Sequence, residues 1–121
     1  MSTHAIENAK SWAAQITEWA GYSPELGGYD PEPGSDDAMQ NAALEVKVSG
    51  SWEPGSKPVA ESYMILLSTG GPALRVVGDL DRGEPVSASL EWQDWGTPWT
   101  PYLDANESDL LVFASQFYFG E

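Results

Sequence analysis

The stretch that decides the fold runs from residue 62 to residue 100 and reads SYMILLSTGGPALRVVGDLDRGEPVSASLEWQDWGTPWT. It contains three runs of strand length, namely Tyr63 to Leu67, Pro72 to Leu80 and Val86 to Trp92. In the third run apolar and polar residues alternate with a period of two, which is typical of a strand with one buried face. We therefore predict a three-stranded antiparallel meander.

Two turn signals separate these runs. Gly70-Gly71-Pro72 interrupts the first, and Asp81-Arg82-Gly83 predicts a three-residue turn with the glycine at positive φ. Upstream, the alternating run from Leu44 to Val48 predicts a further strand, joined to the meander by a glycine-rich connection that contains Trp52. The sheet is therefore expected to have about four strands.

Helical patterns precede this sheet. Residues 3–20 predict an amphipathic helix that ends at Gly21, with Trp12 and Trp19 on one side. We expect these tryptophans in the core, and the alternative is an exposed stripe that binds a partner. Residues 21–35 are rich in glycine and proline and predict a surface loop without regular structure.

Two shorter helices complete the expected fold. Ser35 is expected to cap a helix over residues 36–43, and Asp104 or Ser108 a final helix over residues 105–118. A terminal strand from Leu110 to Phe119 is the alternative, because this segment is rich in β-branched and aromatic residues. The fold class is α+β, with residues 1–121 forming one small domain.

Two segments of the central stretch, LLSTGGPALRVVGDLD and LEWQDWGTPWT, carry a family resemblance. The chain resembles, over about residues 44–102, a family of small, uncharacterised acidic proteins that recur in phage and prophage genomes. The resemblance implies that genomic setting and a common fold. It implies no activity and no catalytic residues.

The charge is strongly acidic throughout the chain. Nineteen Asp and Glu face five Lys and Arg, which gives a net charge of −14. Direct binding to nucleic acid is disfavoured, because phosphates would be repelled, and a basic protein surface is the expected partner. With no cysteine, no apolar leader and no membrane-length apolar run, we expect a protein of the host cytoplasm that does not bind membranes. The oligomeric state stays open.

The sequence offers no complete catalytic constellation. The one histidine, His4, lies near the N-terminus, and nucleophilic catalysis needs a base beside the nucleophile. No metal-ligand or cofactor motif occurs, so we expect no cofactor and no enzymatic activity. The segment Ser68 to Gly71 resembles a phosphate loop but lacks its lysine, and it favours a tight turn.

Arg75 and the tryptophans are the remaining candidates for a site in the meander. Arg75 is expected to neutralise a nearby carboxylate, and its candidate partners are Asp79, Asp81, Glu91 and Asp94. Trp92, Trp95, Trp99 and Tyr102 could close the end of the core or could form an aromatic binding platform. In the platform interpretation Trp95 and Trp99 bind the partner.

Three hypotheses for the function follow. The leading one is a non-enzymatic inhibitor from a mobile element, of the anti-CRISPR or anti-restriction kind, whose carboxylates mimic DNA phosphates. Its candidate partner-binding residues lie on expected turns and helix starts: Asp30, Glu32, Asp36, Asp37, Asp79, Asp81 and Glu84. The alternatives are an acidic interaction or structural module without mimicry, and a small carbohydrate-binding or hydrolase domain that uses the tryptophans.

Overall fold

The computed structural model describes residues 2–51, 54–55, 59–69, 73–94, 97–117 and 119. These residues form an α+β domain of three helices, a two-stranded hairpin and a larger antiparallel sheet. In chain order the elements are α1 (Ser2–Ala20), β1 (Tyr22–Ser23), β2 (Gly28–Tyr29), α2 (Ser35–Ala42), β3 (Glu45–Ser51), β4 (Val59–Ser68), β5 (Ala73–Asp81), β6 (Glu84–Pro85), β7 (Ser89–Gln93), β8 (Thr100–Pro101) and α3 (Glu107–Ala114). No described helix is long and apolar enough to cross a membrane.

The sheet is a meander in the order β3-β4-β5-β7-β8, and the short β6 pairs with β5. The four longer strands are those that the sequence predicts, and the two-residue strands β6 and β8 are additional. Directly paired residues of an antiparallel sheet share a face. The row Val46, Ile65, Val76 and Leu90 therefore crosses the sheet on one face, and the row from Glu45 through Arg75 to Glu91 crosses it on the other.

The core lies between one face of the sheet and the helices. α1 packs against α2, α3 and β7, and α3 also packs against β7. The largest fully buried side chains come from helices and strands alike: Phe113, Ile16, Met39, Ile65, Leu74, Leu90 and Val76. Helices and strands each bury one face in this layer. The buried positions therefore recur with helical or period-two spacing, and both kinds of element can be recognised in the sequence.

Trp12 and Trp19 lie at the rim of this core. Both are half-buried, with their ring centroids 6.4 Å apart in an edge-to-face arrangement, and Trp19 also stacks on Phe113. The other sides of the two rings line a shallow groove on α1 together with polar residues. Neither expectation describes them fully, because each indole packs against the core and is still partly exposed.

The helix ends differ from the expectation in their caps. α1 ends at Gly21 as predicted, with φ of 70°. The N-cap of α2 is Gly34, which makes no side-chain hydrogen bond, so the prediction of a Ser35 cap is wrong. The C-terminal helix is confirmed over a shorter range than predicted, and its cap is Asn106, whose side chain accepts a hydrogen bond from the Asp109 backbone N–H.

The turn after β5 is tighter than predicted. Asp81 pairs with Glu84, so the loop has two residues, Arg82 and Gly83, with φ of 55° and 81°. Positive φ at both positions matches the twist of the flanking strands, as in the common two-residue hairpins. The predicted three-residue turn is therefore wrong by one residue.

The segment of residues 86–88, which precedes β7, crosses over β5 at Gly78. A Cβ on Gly78 would lie 1.9 Å from the carbonyl oxygen of Ser87, and that oxygen also accepts a hydrogen bond from the Tyr63 hydroxyl at 2.7 Å. Burial, with smaller contributions from the Glu107 and Asp79 carboxylates, raises the pKa of Tyr63, so this hydroxyl stays protonated as a donor.

This crossing removes residues 86–88 from the strand that the sequence predicts over residues 86–92. β7 begins at Ser89, and Val86, which was expected on the buried face, is 55% exposed. Ala88, Leu90 and Trp92 are buried as the alternation predicts. The predictions for Trp52 and for the Gly70-Gly71-Pro72 break lie outside the described residues.

Candidate functional site

The predicted acidic residues are all exposed, and they fall into two sets. Asp30, Glu32, Asp36 and Asp37 follow one another from β2 into α2. The second set, Asp79, Asp81 and Glu84, lies on the β5–β6 hairpin. The candidate residues therefore come from two segments of the chain, and residues of both segments line open grooves.

Asp30 and Glu32 of the first set line an open groove of about 550 Å³. Glu18 from the end of α1 joins Asp30 and Glu32 along its walls, and Trp19 and Tyr22 provide its aromatic part. Ser35 also lines the groove, and Asp36 and Asp37 follow it directly in the first turn of α2. We call the five carboxylates Glu18, Asp30, Glu32, Asp36 and Asp37 the acidic face. No Lys or Arg is among the described residues that line this groove.

The segment that carries the acidic face has regular structure, contrary to the predicted irregular loop. β1 and β2 pair as a hairpin in which the rings of Tyr22 and Tyr29 meet edge to face at 5.3 Å. The Asp30 backbone N–H donates to the Gly21 carbonyl at 2.8 Å. A Cβ on Gly21 would lie 2.8 Å from the Asp30 carbonyl oxygen, so this close approach requires glycine.

A buried carboxylate holds this hairpin against the helices. Asp109, which is 7% exposed, accepts hydrogen bonds from the Tyr29 hydroxyl at 2.8 Å and from the Thr17 hydroxyl at 2.7 Å. Desolvation, followed by the bond to Asp109, raises the pKa of Tyr29, so the phenol remains a donor. Because each carboxylate oxygen has a hydroxyl donor, the buried charge is stabilised and joins α1, the hairpin and α3.

Sequence reasoning missed Asp109 as a positioning residue. Its partners lie 92 and 80 residues away, so no local pattern links them. The available signal was an acid in the first turn of a helix, which is typical of any helix start. Sequence reasoning did predict Asp36 and Asp37 at the start of α2, and they lie in its first turn, because their relation to α2 is local.

The aromatic cluster is mainly structural. Trp92 is 9% exposed and belongs to the core, and Tyr102 packs against it. Trp99 is half-buried, and its ring centroid lies 4.1 Å from the Arg75 guanidinium carbon. One side of the Trp99 ring is therefore occupied within the molecule, which disfavours it as an open sugar-binding platform. Trp95 lies outside the described residues.

The predicted neutralisation of Arg75 is confirmed, and its partner is Glu91. The Arg75 Nε and Nη2 atoms each lie 2.8 Å from Glu91 Oε1, and the side chains are 27% and 18% exposed. This pair lies on the face of the sheet away from the helices. Glu91, one of the four candidate partners, therefore forms an ion pair within the molecule.

Replacing Arg75 with alanine is expected to lower the free energy of unfolding by about 1–2 kcal/mol, between the values for exposed and buried pairs. The change removes a half-buried ion pair and the contact with Trp99. Arg82→Ala is the matched control, because it removes the same charge at an exposed position in a turn. Urea titration of both variants gives the comparison, and equal midpoints near that of the parent would contradict this role for Arg75.

The carboxylates of the described residues do not form a metal site. No group of three or more described His, Cys, Asp or Glu side chains is close enough together to hold an ion. The carboxylates of the acidic face are exposed hydrogen-bond acceptors.

Comparisons with protein families, with curated proteins and with solved structures found no match to this chain.

Proposed function

We propose that this protein is a non-enzymatic inhibitor that occupies the basic, nucleic-acid-binding surface of a host defence complex. The observation that carries the proposal is the acidic face. Its exposed Glu18, Asp30 and Glu32 line a groove whose described lining contains no basic residue, and Asp36 and Asp37 follow in the first turn of α2. Carboxylates in such an array can accept the hydrogen bonds that Lys and Arg otherwise donate to phosphates. The phage setting implied by the family resemblance is the reason for choosing a defence complex as the target.

The anchoring of the hairpin supports this role. Asp30 and Glu32 follow a strand that is fixed through Tyr29 to the buried Asp109, and Asp36 and Asp37 lie on a regular helix. A surface that is ordered before binding loses less conformational freedom in the complex, and this raises affinity. The carboxylates are therefore held on ordered backbone, as a mimic of a stiff polyanion requires.

The distribution of basic residues supports it as well. Lys47 is paired with Glu45, and Arg75 is paired with Glu91 and covered by Trp99. With a net charge of −14, the long-range field is negative and attracts a basic partner, an effect that weakens with salt. The same field repels nucleic acid, so the target is the protein that binds it.

The Asp36→Asn, Asp37→Asn double variant tests the proposal in a DNA-cleavage assay with a purified host restriction or CRISPR nuclease. We expect inhibition to weaken at least about tenfold, equivalent to about 1.4 kcal/mol, because desolvated contacts with target Lys and Arg are lost. The matched control is Glu7→Gln, Asp104→Asn, which changes the net charge equally at exposed positions outside the acidic face. Asp79→Asn, Asp81→Asn applies the same test to the second acidic set.

Two further measurements separate mimicry from other binding. Duplex DNA should compete with the protein for the target, and affinity should fall steeply between about 50 and about 500 mM salt. Thermal melts confirm that each variant is folded at the assay temperature. Equal inhibition by the acidic-face and control variants, with affinity that does not depend on salt, would contradict mimicry and would favour an interaction module with an apolar interface.

A further inference from the structure

β3 is an outer strand of the sheet with an uncovered apolar side. It stands first in the strand order and pairs with β4, and its other edge has no strand partner among the described residues. Leu44, Val46 and Val48 share the face of the buried row, yet they are 61%, 39% and 47% exposed. An exposed strand edge with apolar side chains is a template for pairing with another strand.

The space beside these residues is an open groove with both apolar and polar lining residues. Leu44 and Val46 line it together with Ala43 and Phe117, and its volume is about 440 Å³. Gln40, Glu45 and Gln116 provide the polar part of its lining, and the Gln40 side chain donates a hydrogen bond to the Gln116 carbonyl at 3.0 Å. The helices of the domain therefore leave this margin of the sheet open, and a second polypeptide could cover it.

The sequence of β3 is complementary to itself. It reads Leu44-Glu45-Val46-Lys47-Val48, an order in which apolar residues flank one acid and one base symmetrically about Val46. When two copies pair antiparallel about a two-fold axis at Val46, each Glu45 lies opposite Lys47 of the second copy. On the other face Val46 meets Val46, and Leu44 meets Val48.

Other registers lack this complementarity. A two-fold axis at Glu45 or at Lys47 places like charges directly opposite each other, which is destabilising. A shift by one residue places charged residues opposite apolar ones and turns the two apolar faces to opposite sides. One register therefore satisfies charge and burial together, as a two-fold symmetric interface requires.

We propose that two copies of this chain associate through their β3 edges, antiparallel and centred on Val46, so that their sheets join. Glu45 and Lys47 already form an ion pair at 3.5 Å within one copy, and in the dimer each would also face its opposite charge across the axis. The apolar side chains of both copies then cover each other and the margins of the two grooves. The carboxylates of the acidic face lie on elements other than β3.

The net charge predicts how this association responds to salt. Each copy carries −14, so the two copies repel over long range, and screening reduces that repulsion. Dimerisation should therefore strengthen as salt is added. Binding of the acidic face to a basic target should weaken under the same change, which separates the two processes experimentally.

Sedimentation velocity over a concentration series up to about 500 μM tests the proposal on the full chain. We expect the parent to dimerise, and we expect Lys47→Glu to weaken the dimer at least about tenfold, because it places Glu opposite Glu. Lys10→Glu is the matched control, with the same charge change at an exposed position on α1. It should shift the dimerisation constant much less.

Restoring the complementarity gives the decisive comparison. The swap Glu45→Lys, Lys47→Glu should dimerise like the parent, and an equimolar mixture of Glu45→Lys with Lys47→Glu should form a heterodimer. Glu45, Lys47 and the control residue Lys10 are all exposed. Thermal melts verify that each variant is folded. A parent that stays monomeric throughout the series, equal effects of Lys47→Glu and Lys10→Glu, or no rescue by the swap and the mixture would each overturn the proposal.

Discussion

Replacing Gly78 with alanine is expected to lower the free energy of unfolding by about 3 kcal/mol or more, at the upper end for overpacked sites. The added Cβ would lie 1.9 Å from the Ser87 carbonyl oxygen and 2.7 Å from the Tyr63 hydroxyl. The first neighbour is backbone, so relief requires the whole 86–88 crossing to move away from β5. That movement would break the Tyr63 hydrogen bond to Ser87 and the bonds that join Asp79 to residues 86 and 87.

Gly28→Ala is the matched control for this variant. Gly28 also lies in a strand, and a Cβ there meets no atom within 4 Å. Both changes reduce the conformational entropy of the unfolded chain by a similar amount. The difference between their effects on the free energy of unfolding therefore reports on the crossing of residues 86–88 over β5. Urea unfolding followed by tryptophan fluorescence gives the comparison, and equal midpoints for the two variants would rule out the close crossing.

Trp92→Ala is expected to lower the free energy of unfolding by about 3–5 kcal/mol, as for other large-to-small changes in a core. Trp92 is 9% exposed, and it pairs with Leu74 across the sheet, so alanine would leave a cavity that the strands cannot close. Any loss of partner binding should then follow from unfolding alone.

Trp99→Ala separates core from surface tryptophans. Trp99 is half-buried over Arg75, and its loss should cost about 1 kcal/mol, the scale of a cation–π contact. Differential scanning calorimetry of the two variants gives the ranking. A Trp92→Ala protein that melts with the parent but has lost its partner would reverse our assignment and make the aromatic cluster a binding surface.

Much of the fold could be predicted because its signals are local. Period-two alternation identified β3 and β7, and runs of strand length bounded by turn signals identified β4 and β5. Helical spacing with a terminal glycine identified α1. The ion pair of Arg75 was predictable in kind, because a guanidinium among apolar strand residues needs an acid. That the acid is Glu91 depended on strand register, which places the two residues directly opposite.

The candidate site was predictable in part. Asp30, Glu32, Asp36 and Asp37 were expected to be exposed, because they lie at turns and at a helix start, and they are. That Glu18 lines one groove with Asp30 and Glu32 depended on the position of the end of α1 in the tertiary structure. The separation of Asp79, Asp81 and Glu84 into a second set likewise came from their hairpin.

The sequence by itself determined the α+β class, the meander and the acidity, since each depends on residue types and short spacings. The tertiary structure decided the rest: the hairpin fixed by Asp109, the crossing over Gly78, and the uncovered margin of β3. The physical reason is distance along the chain. Contacts such as Tyr29 with Asp109 join residues 80 positions apart, and no local pattern records which distant groups meet when the core closes.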